Sequence, residues 1–391
     1  MMNKPLSFFA IAVAIVSCGS KDEHKPQMGS VDNIIPQPQL VEVSPDQIGF
    51  YSDGTLVVSG SDLMSNSWDV AKDWFENAGL QIDQSDLDKP QLLFTLSDEI
   101  KGDEAYSLKV AEDKIQISAS TPKGLYRGWT TLRLMIPVTA ESGGCSKGFY
   151  LPVVSIDDSP EFEHRGLLLD CCRHFMEPDF VKKMIDNLSI HKMNVLHWHL
   201  TEDQGWRVEI DSYPRLTEVG AWRTETDGST HGGYYSKETI QEIIEYAAAR
   251  QVEVIPEIEV PGHSQAALAS YPWLGCTGEQ IQVANKWGVF KDIYCPGNDS
   301  TLRFLETIFD EVCKLFPSDK IHIGGDEAPK VRWASCEKCQ KGIKDEGLEN
   351  ENELQTWVIE HVGKYLESKG KTIIGWDEIL EGGLPEGAAV Q

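Results

Sequence analysis

Two adjacent carboxylates close the segment His322-Ile323-Gly324-Gly325-Asp326-Glu327. Ahead of them stand an apolar run and two glycines, which let a backbone approach a ligand closely or bend sharply at a strand end. On an extended backbone neighbouring side chains diverge. Asp326 and Glu327 are therefore not expected to flank a bond from opposite sides, as the two carboxylates of an ordinary glycosidase do. One acid beside one orienting group is the natural alternative. Three further segments concentrate polar chemistry. His197-Trp198-His199-Leu200-Thr201-Glu202-Asp203-Gln204-Gly205-Trp206-Arg207 turns two imidazoles to one face of a strand, a pattern that also suits a metal. Pro256-Glu257-Ile258-Glu259-Val260-Pro261-Gly262-His263 brings two carboxylates and a His past another apolar run. Glu163-His164-Arg165-Gly166 offers an Arg whose fork of donors can bind two hydroxyls at once.

The elements that must position these residues are legible from periodicity. Strand-like runs at 166–170, 195–200, 252–256, 321–325 and 372–376 alternate with helical patterns at 179–191, 237–250, 301–316 and 353–368, and a sixth strand starts at 388–391. Repeated strand–helix units with apolar strands imply a parallel sheet covered by helices. Polar residues follow each of the first five strands: Asp170, His199, Glu257, Asp326 with Glu327, and Asp377 with Glu378. Polar residues at the C-terminal strand ends are the mark of a (β/α)8 barrel of the TIM type, whose sites form there. No Gly-x-Gly-x-x-Gly follows the first strand, which excludes the usual dinucleotide fold. Before the barrel, residues 39–155 show short strands at 56–59, 92–96, 106–110 and 115–118, with helices at 67–78 and 124–134. They read as a small α+β domain with a scaffolding role, and residues 156–391 as the barrel.

The balance of 35 Lys+Arg against 62 Asp+Glu gives a net charge of −27, which argues against a nucleic-acid partner and against charge-driven binding to anionic lipid. A hydrophobic fraction of 41% is too high for a disordered chain. A neutral ligand such as a sugar suits this composition, and some of the 11 Trp could stack on one, although most are expected in the core.

Residues 1–18 read as a lipoprotein signal. Lys4 precedes an apolar run too short to span a bilayer, which ends in Ile15-Val16-Ser17-Cys18. Cys18 is the expected lipidation site and residues 19–38 the tether, with Lys21-Asp22-Glu23 as an acidic export tag. The expected location is that of an exported bacterial lipoprotein on the periplasmic or outer face of the outer membrane, touching the membrane only through its lipid. Export permits disulfides, and Cys276 with Cys295 is the expected pair. Cys336-x-x-Cys339 supplies only half of a four-ligand zinc set and no second Cys-x-x-Cys is present, so a local disulfide or free thiols are expected there.

The ordered motifs together, from Arg165-Gly166 and Asp170 through His197 to Trp206, Glu257 to His263, His322 to Glu327 and Gly375-Trp376-Asp377-Glu378, resemble glycoside hydrolase family 20, the β-N-acetylhexosaminidases. The resemblance covers the barrel from about residue 160, and the preceding domain is similar to the one that family carries. It implies removal of terminal β-linked GlcNAc or GalNAc with retention, without metal or cofactor. The substrate's own N-acetyl oxygen would attack the anomeric carbon and form an oxazolinium ion. By match to the family, Glu327 would be the general acid and then the base. Asp326 would orient the acetamido group, and its charge would help keep Glu327 protonated. Arg165 would grip the sugar O3 and O4, His263 and Asp203 would support Glu327, Trp376 would wall the acetamido pocket, and Glu378 would touch the sugar. Glu259 stands where the family usually has Asp. The family completes its pocket with two Trp and a Tyr from the sixth strand onward, so a C-terminally truncated barrel is expected. Alternatives are a lacto-N-biosidase-type relative, an inactive glycan-binding lipoprotein, or a metal-dependent hydrolase built on His197 and His199.

Overall fold

The computed structural model describes residues 26–44, 49–85, 89–381, 383 and 387–391. Cys18 and the signal segment lie outside the described residues. Among the described residues, no helix is long and apolar enough to cross a membrane.

The first domain is a seven-stranded sheet made of β1 (Leu40–Val43), β2 (Thr55–Ser59), β3 (Gln81–Asp83), β4 (Leu92–Leu96), β5 (Tyr106–Val110), β6 (Ile115–Ala119) and β7 (Val154–Asp158). Its strands lie in the order β1-β7-β5-β6-β4-β2-β3. Alternating residues such as Leu108, Val110, Ile115 and Ile117 face one core with Leu125, Trp129 and Leu132 of α2 (Pro122–Met135) and with α1 (Ser67–Asn77). Thr121 caps α2 by accepting from Gly124 N, and Pro122 starts it with a preset φ. Gly128 lets α2 lie against the sheet, since a Cβ there would stand 2.5 Å from Ile117.

Two boundaries differ from expectation. The expected edge between 155 and 156 falls inside β7, which pairs with β1 and β5 and so belongs wholly to the first sheet. The described part of the expected tether is packed: Gln27–Met28 pairs with Phe149–Tyr150, and Ile34 is buried in the first core. A single buried aliphatic residue in a polar stretch is too weak a pattern to announce docking.

The second domain holds six parallel strands in chain order: β8 (Gly166–Asp170), β9 (Val195–His199), β10 (Glu253–Glu257), β11 (Lys320–His322), β12 (Thr372–Gly375) and β13 (Ala389–Val390). The longer helices between them are α3 (Pro178–Ile190), α4 (Lys237–Ala249), α5 (Asp299–Leu315), α6 (Glu337–Asp345) and α7 (Glu351–Ser368). Their apolar faces close on the strands through Ile185, Ile243, Phe304, Ile308, Val358 and Val362. The register sets Asp170, His199 and Glu257 at one level across three strands, with His322 opposite Glu257 on the fourth. The first four strands thus deliver their polar residues to the same end.

Candidate active site

The loop after β11 is built by its two glycines. Gly324 and Gly325 have φ of +66° and +102°, and a Cβ on Gly324 would stand 1.6 Å from the Glu259 carboxylate. The loop is held from one side by Trp376 N–H donating to Gly324 O at 2.8 Å and from the other by Gln355 Nε2 donating to Gly325 O at 2.9 Å. Glu327 then takes φ of +45°, a left-handed conformation unfavourable for a side chain that is not Gly or Asn. This corrects the expectation of an extended backbone with diverging carboxylates. Both reach the same imidazole: His263 Nε2 stands 3.4 Å from Asp326 Oδ2 and 3.6 Å from Glu327 Oε2. Asp326 is 22% exposed and Glu327 is 52% exposed, so the pair opens toward solvent. Asp326 Oδ1 is buried and has no hydrogen-bond partner.

His263, itself at φ +45°, bridges two sets of carboxylates. Its Nδ1 lies 2.8 Å from Glu202 and 3.2 Å from Asp203. Burial works against the charged ring, but Asp203, Asp326 and Glu202 outweigh it and hold His263 well above the usual His range, so it is an imidazolium. Burial likewise opposes the charge on Glu202, yet His199 and His263 hold it far below the ordinary carboxylate range. Asp203 goes the other way: burial, with the Glu202 charge beside it, pushes it up to about 6 against the pull of His263. Asp203 Oδ1 also accepts from Gln265 N at 2.9 Å, which fixes the carboxylate in place.

Beneath this layer lies a second, fully buried one. His197 and His199 both turn to Glu257, as the shared face of a His-x-His strand predicts, and His322 Nδ1 stands 3.0 Å from it. Burial would raise Glu257, but the charge of His199 and bonds from the three His rings hold it well below the usual range. Glu259 is raised far above that range by burial, Glu257 and Asp326, and so carries its proton. Trp376 donates its Nε1–H to Glu257 Oε1 at 3.0 Å, which sets the indole over the strand ends beside His322. Glu378 lines a shallow cleft with Glu327, Ala328 and Gln355.

Arg165 does not join this group. It precedes β8, at the opposite end of the strands, and donates to Glu104 at 2.5 Å and to Phe162 O and Lys192 O. Five residues of strand separate it from the level of Asp170, roughly 16 Å. The cation at the rim is Arg173, which sequence reasoning passed over. It follows Asp170, bonds Asp170 at 3.2 Å and Glu202 at 2.9 Å, and lies 5.1 Å from the ring centre of Trp287. Trp287 is 81% exposed, and its loop is tied to the Asp203 segment by Gln204 donating to Lys286 O. The available signal for Arg173 was its place just past a strand end.

Six sequential parallel strands gather carboxylates and an imidazolium at their C-terminal ends, where barrels of this type place their sites. Residues 162–391 match the model of the glycosyl hydrolase family 20 catalytic domain, and residues 32–159 match that family's domain 2. The chain belongs to glycosyl hydrolase family 20. It is 40% identical over 385 residues to a beta-hexosaminidase of Porphyromonas gingivalis, covering 97% of this chain and 50% of that protein. A beta-hexosaminidase of Vibrio furnissii is 39% identical over 71% of this chain and 46% of its own length. The chain therefore spans about half the length of the curated relatives it matches. Among solved structures, a beta-N-acetylhexosaminidase from Bacteroides fragilis superposes with a TM-score of 0.78 at 32% identity, covering 92% of this chain and 70% of that one. An exo beta-N-acetylglucosaminidase from Vibrio harveyi, bound to N-acetylglucosamine, superposes with a TM-score of 0.82 at 29% identity, covering 93% and 57%.

Proposed function

We propose that this chain carries the catalytic site of a retaining exo-β-N-acetylhexosaminidase that removes terminal GlcNAc or GalNAc with help from the substrate's acetamido group. The observation that carries the reading is the unpartnered, buried Oδ1 of Asp326 beside the open carboxyl of Glu327. A buried acceptor without a donor costs free energy until one arrives, and an acetamido N–H is such a donor. Asp326 accepts that N–H and aligns the carbonyl oxygen for attack on the anomeric carbon. Glu327 gives its proton to the leaving oxygen, then takes one from the water that opens the oxazolinium ring. The Asp326 carboxylate, open at the rim, favours the positive charge that develops on the sugar. Arg173 replaces Arg165 as the group that grips sugar hydroxyls, and the indole of Trp376 walls the acetamido pocket.

The test is hydrolysis of p-nitrophenyl β-N-acetylglucosaminide by the full chain and its Glu327→Gln variant. The expected outcome is a loss of about 10^3-fold in kcat for the variant with substrate binding retained. Equal rates for the two proteins would remove Glu327 from the chemistry. We further propose that the protein works outside the cytoplasm, anchored through Cys18. A Cys18→Ser variant is then expected in the soluble rather than the membrane fraction, and unchanged membrane association would refute the anchor.

A further inference from the structure

We propose that Cys276, Cys295, Cys336 and Cys339 bind a structural zinc ion as a tetrathiolate. The four sulfurs lie within 4.8 Å of one another. The distances are 3.8 Å from Cys276 to Cys339, 3.8 Å from Cys295 to Cys336 and 3.5 Å from Cys295 to Cys339. A zinc–sulfur bond of about 2.3 Å in a tetrahedron places the sulfurs about 3.8 Å apart. A pair of disulfides would instead give two short separations near 2.05 Å and no reason for Cys295 to approach two partners equally. The arrangement thus has the edges of a tetrahedron rather than the form of two closed couples. Soft thiolates in tetrahedral array select zinc over the harder divalent cations.

The setting fits a structural site. Cys295, Cys336 and Cys339 are buried, and Ile293, Trp333, Ile343 and Leu354 surround them in an apolar cluster of their own. Cys276 is partly exposed at the floor of a cleft with Trp273 and Lys338, which gives an ion a way in. Gly297 permits the close approach, because a Cβ there would stand 2.4 Å from Cys339 N. The spacing explains why sequence did not show the site. Only Cys336 and Cys339 form a Cys-x-x-Cys, and the other two ligands come singly from another loop.

The position gives the ion a purpose. Cys276 and Cys295 sit in the long connection from β10 to α5 that also carries His263, and Cys336 and Cys339 sit just beyond Asp326 and Glu327. Zinc would staple the loop that supplies the imidazolium to the loop that supplies the two carboxylates. Two neighbouring contacts join the same loops: Trp333 Nε1 donates to Tyr294 O at 2.9 Å, and Arg332 pairs with Asp292 at 2.8 Å.

The test uses the full chain purified after export, without reductant or chelator. Elemental analysis is expected to find about one zinc per chain. The four thiols should resist alkylation until a chelator is added, and cobalt exchanged into the site should show thiolate charge-transfer and tetrahedral d–d bands. Cys276→Ser, at the most exposed ligand, should fold and lose its zinc on dialysis against a chelator that leaves the wild type loaded. Three results would overturn the proposal: a metal-free chain whose thiols become reactive only after reduction, a metal-free reduced chain that takes up neither zinc nor cobalt, or zinc retained equally by Cys276→Ser. Iron in place of zinc would overturn the identity of the ion.

Discussion

The two ends of the parallel strands both bring arginine to carboxylate, with opposite consequences. At the N-terminal end Glu104 receives Arg127 at 2.6 Å, Arg165 at 2.5 Å and Asn194 at 2.9 Å, and Arg127 goes on to donate to Gln251 O. Lys192 pairs with Asp158 at 2.8 Å nearby, and Tyr126 meets Ser189 across the same seam. Both carboxylate oxygens of Glu104 are used, and the network joins the first domain to the second. At the C-terminal end two carboxyl oxygens go unmatched. Asp326 Oδ1 and Glu259 Oε2 are buried without partners, Glu327 and His263 hold left-handed backbone angles, and Glu327 faces solvent. At the seam both Glu104 oxygens have donors and only Arg127 Nη1 is left over, which stabilises the junction, whereas the rim leaves the Asp326 acceptor open beside strained backbone and is poised for a ligand.

The largest test of this contrast is Glu104→Gln. It strands the Arg127 and Arg165 charges in a buried seam, and breaking such a pair costs about 3–5 kcal/mol. Urea unfolding should show that loss, while kcat per folded molecule stays at the wild-type value. A fall in kcat with unchanged stability would mean that the seam is part of the catalytic apparatus. Next in size is the exchange of the two arginines. Arg173→Ala should lower kcat/KM about 10^2-fold through lost charge-assisted bonds to sugar hydroxyls, mainly in KM. Arg165→Ala should leave kcat/KM unchanged and lower stability. If Arg165→Ala instead impairs turnover, the assignment of the two ends is wrong.

Those predictions mark where sequence was informative. The rim was legible because apolar strands end in polar residues, and that punctuation located Asp170, His199, Glu257, Asp326 and Glu327, whereas Asp203, His263 and Trp376 followed only from the family resemblance. Arg165 misled because it adjoins a strand, and adjacency does not say which end of the strand a residue occupies functionally. Its partner Glu104 lies in another domain, where no local period marks it. The meeting of Asp326 and Glu327 at one imidazole depends on the positive φ of Glu327, which a non-Gly residue gives no reason to expect. The fold itself followed from strand–helix alternation. Short or exposed pieces escaped notice, among them β3 and the mostly exposed edge strand β1, which bury too little to leave an alternation.

The finest test asks whether the two ends answer pH with opposite signs. Burial tends to raise Glu104, but Arg127 and Arg165 outweigh it and hold it below its ordinary value of 4.5. Its contribution to stability is therefore present above about 4.5 and is lost as pH falls through the lower folded value. Asp203 is displaced upward, from 3.8 to about 6. Its proton is favoured by the folded state, so its contribution is full below about 3.8 and is lost as pH rises through about 6. Relative to wild type, Glu104→Gln should lose stability as pH is raised through the acid range. Asp203→Asn, which mimics the protonated carboxyl, should gain on wild type by about 2 kcal/mol between pH 4 and pH 6. Urea unfolding of the three proteins across that range reads both slopes. Parallel slopes would mean that Asp203 is held by its partners as firmly as Glu104, and the contrast between rim and seam would fail.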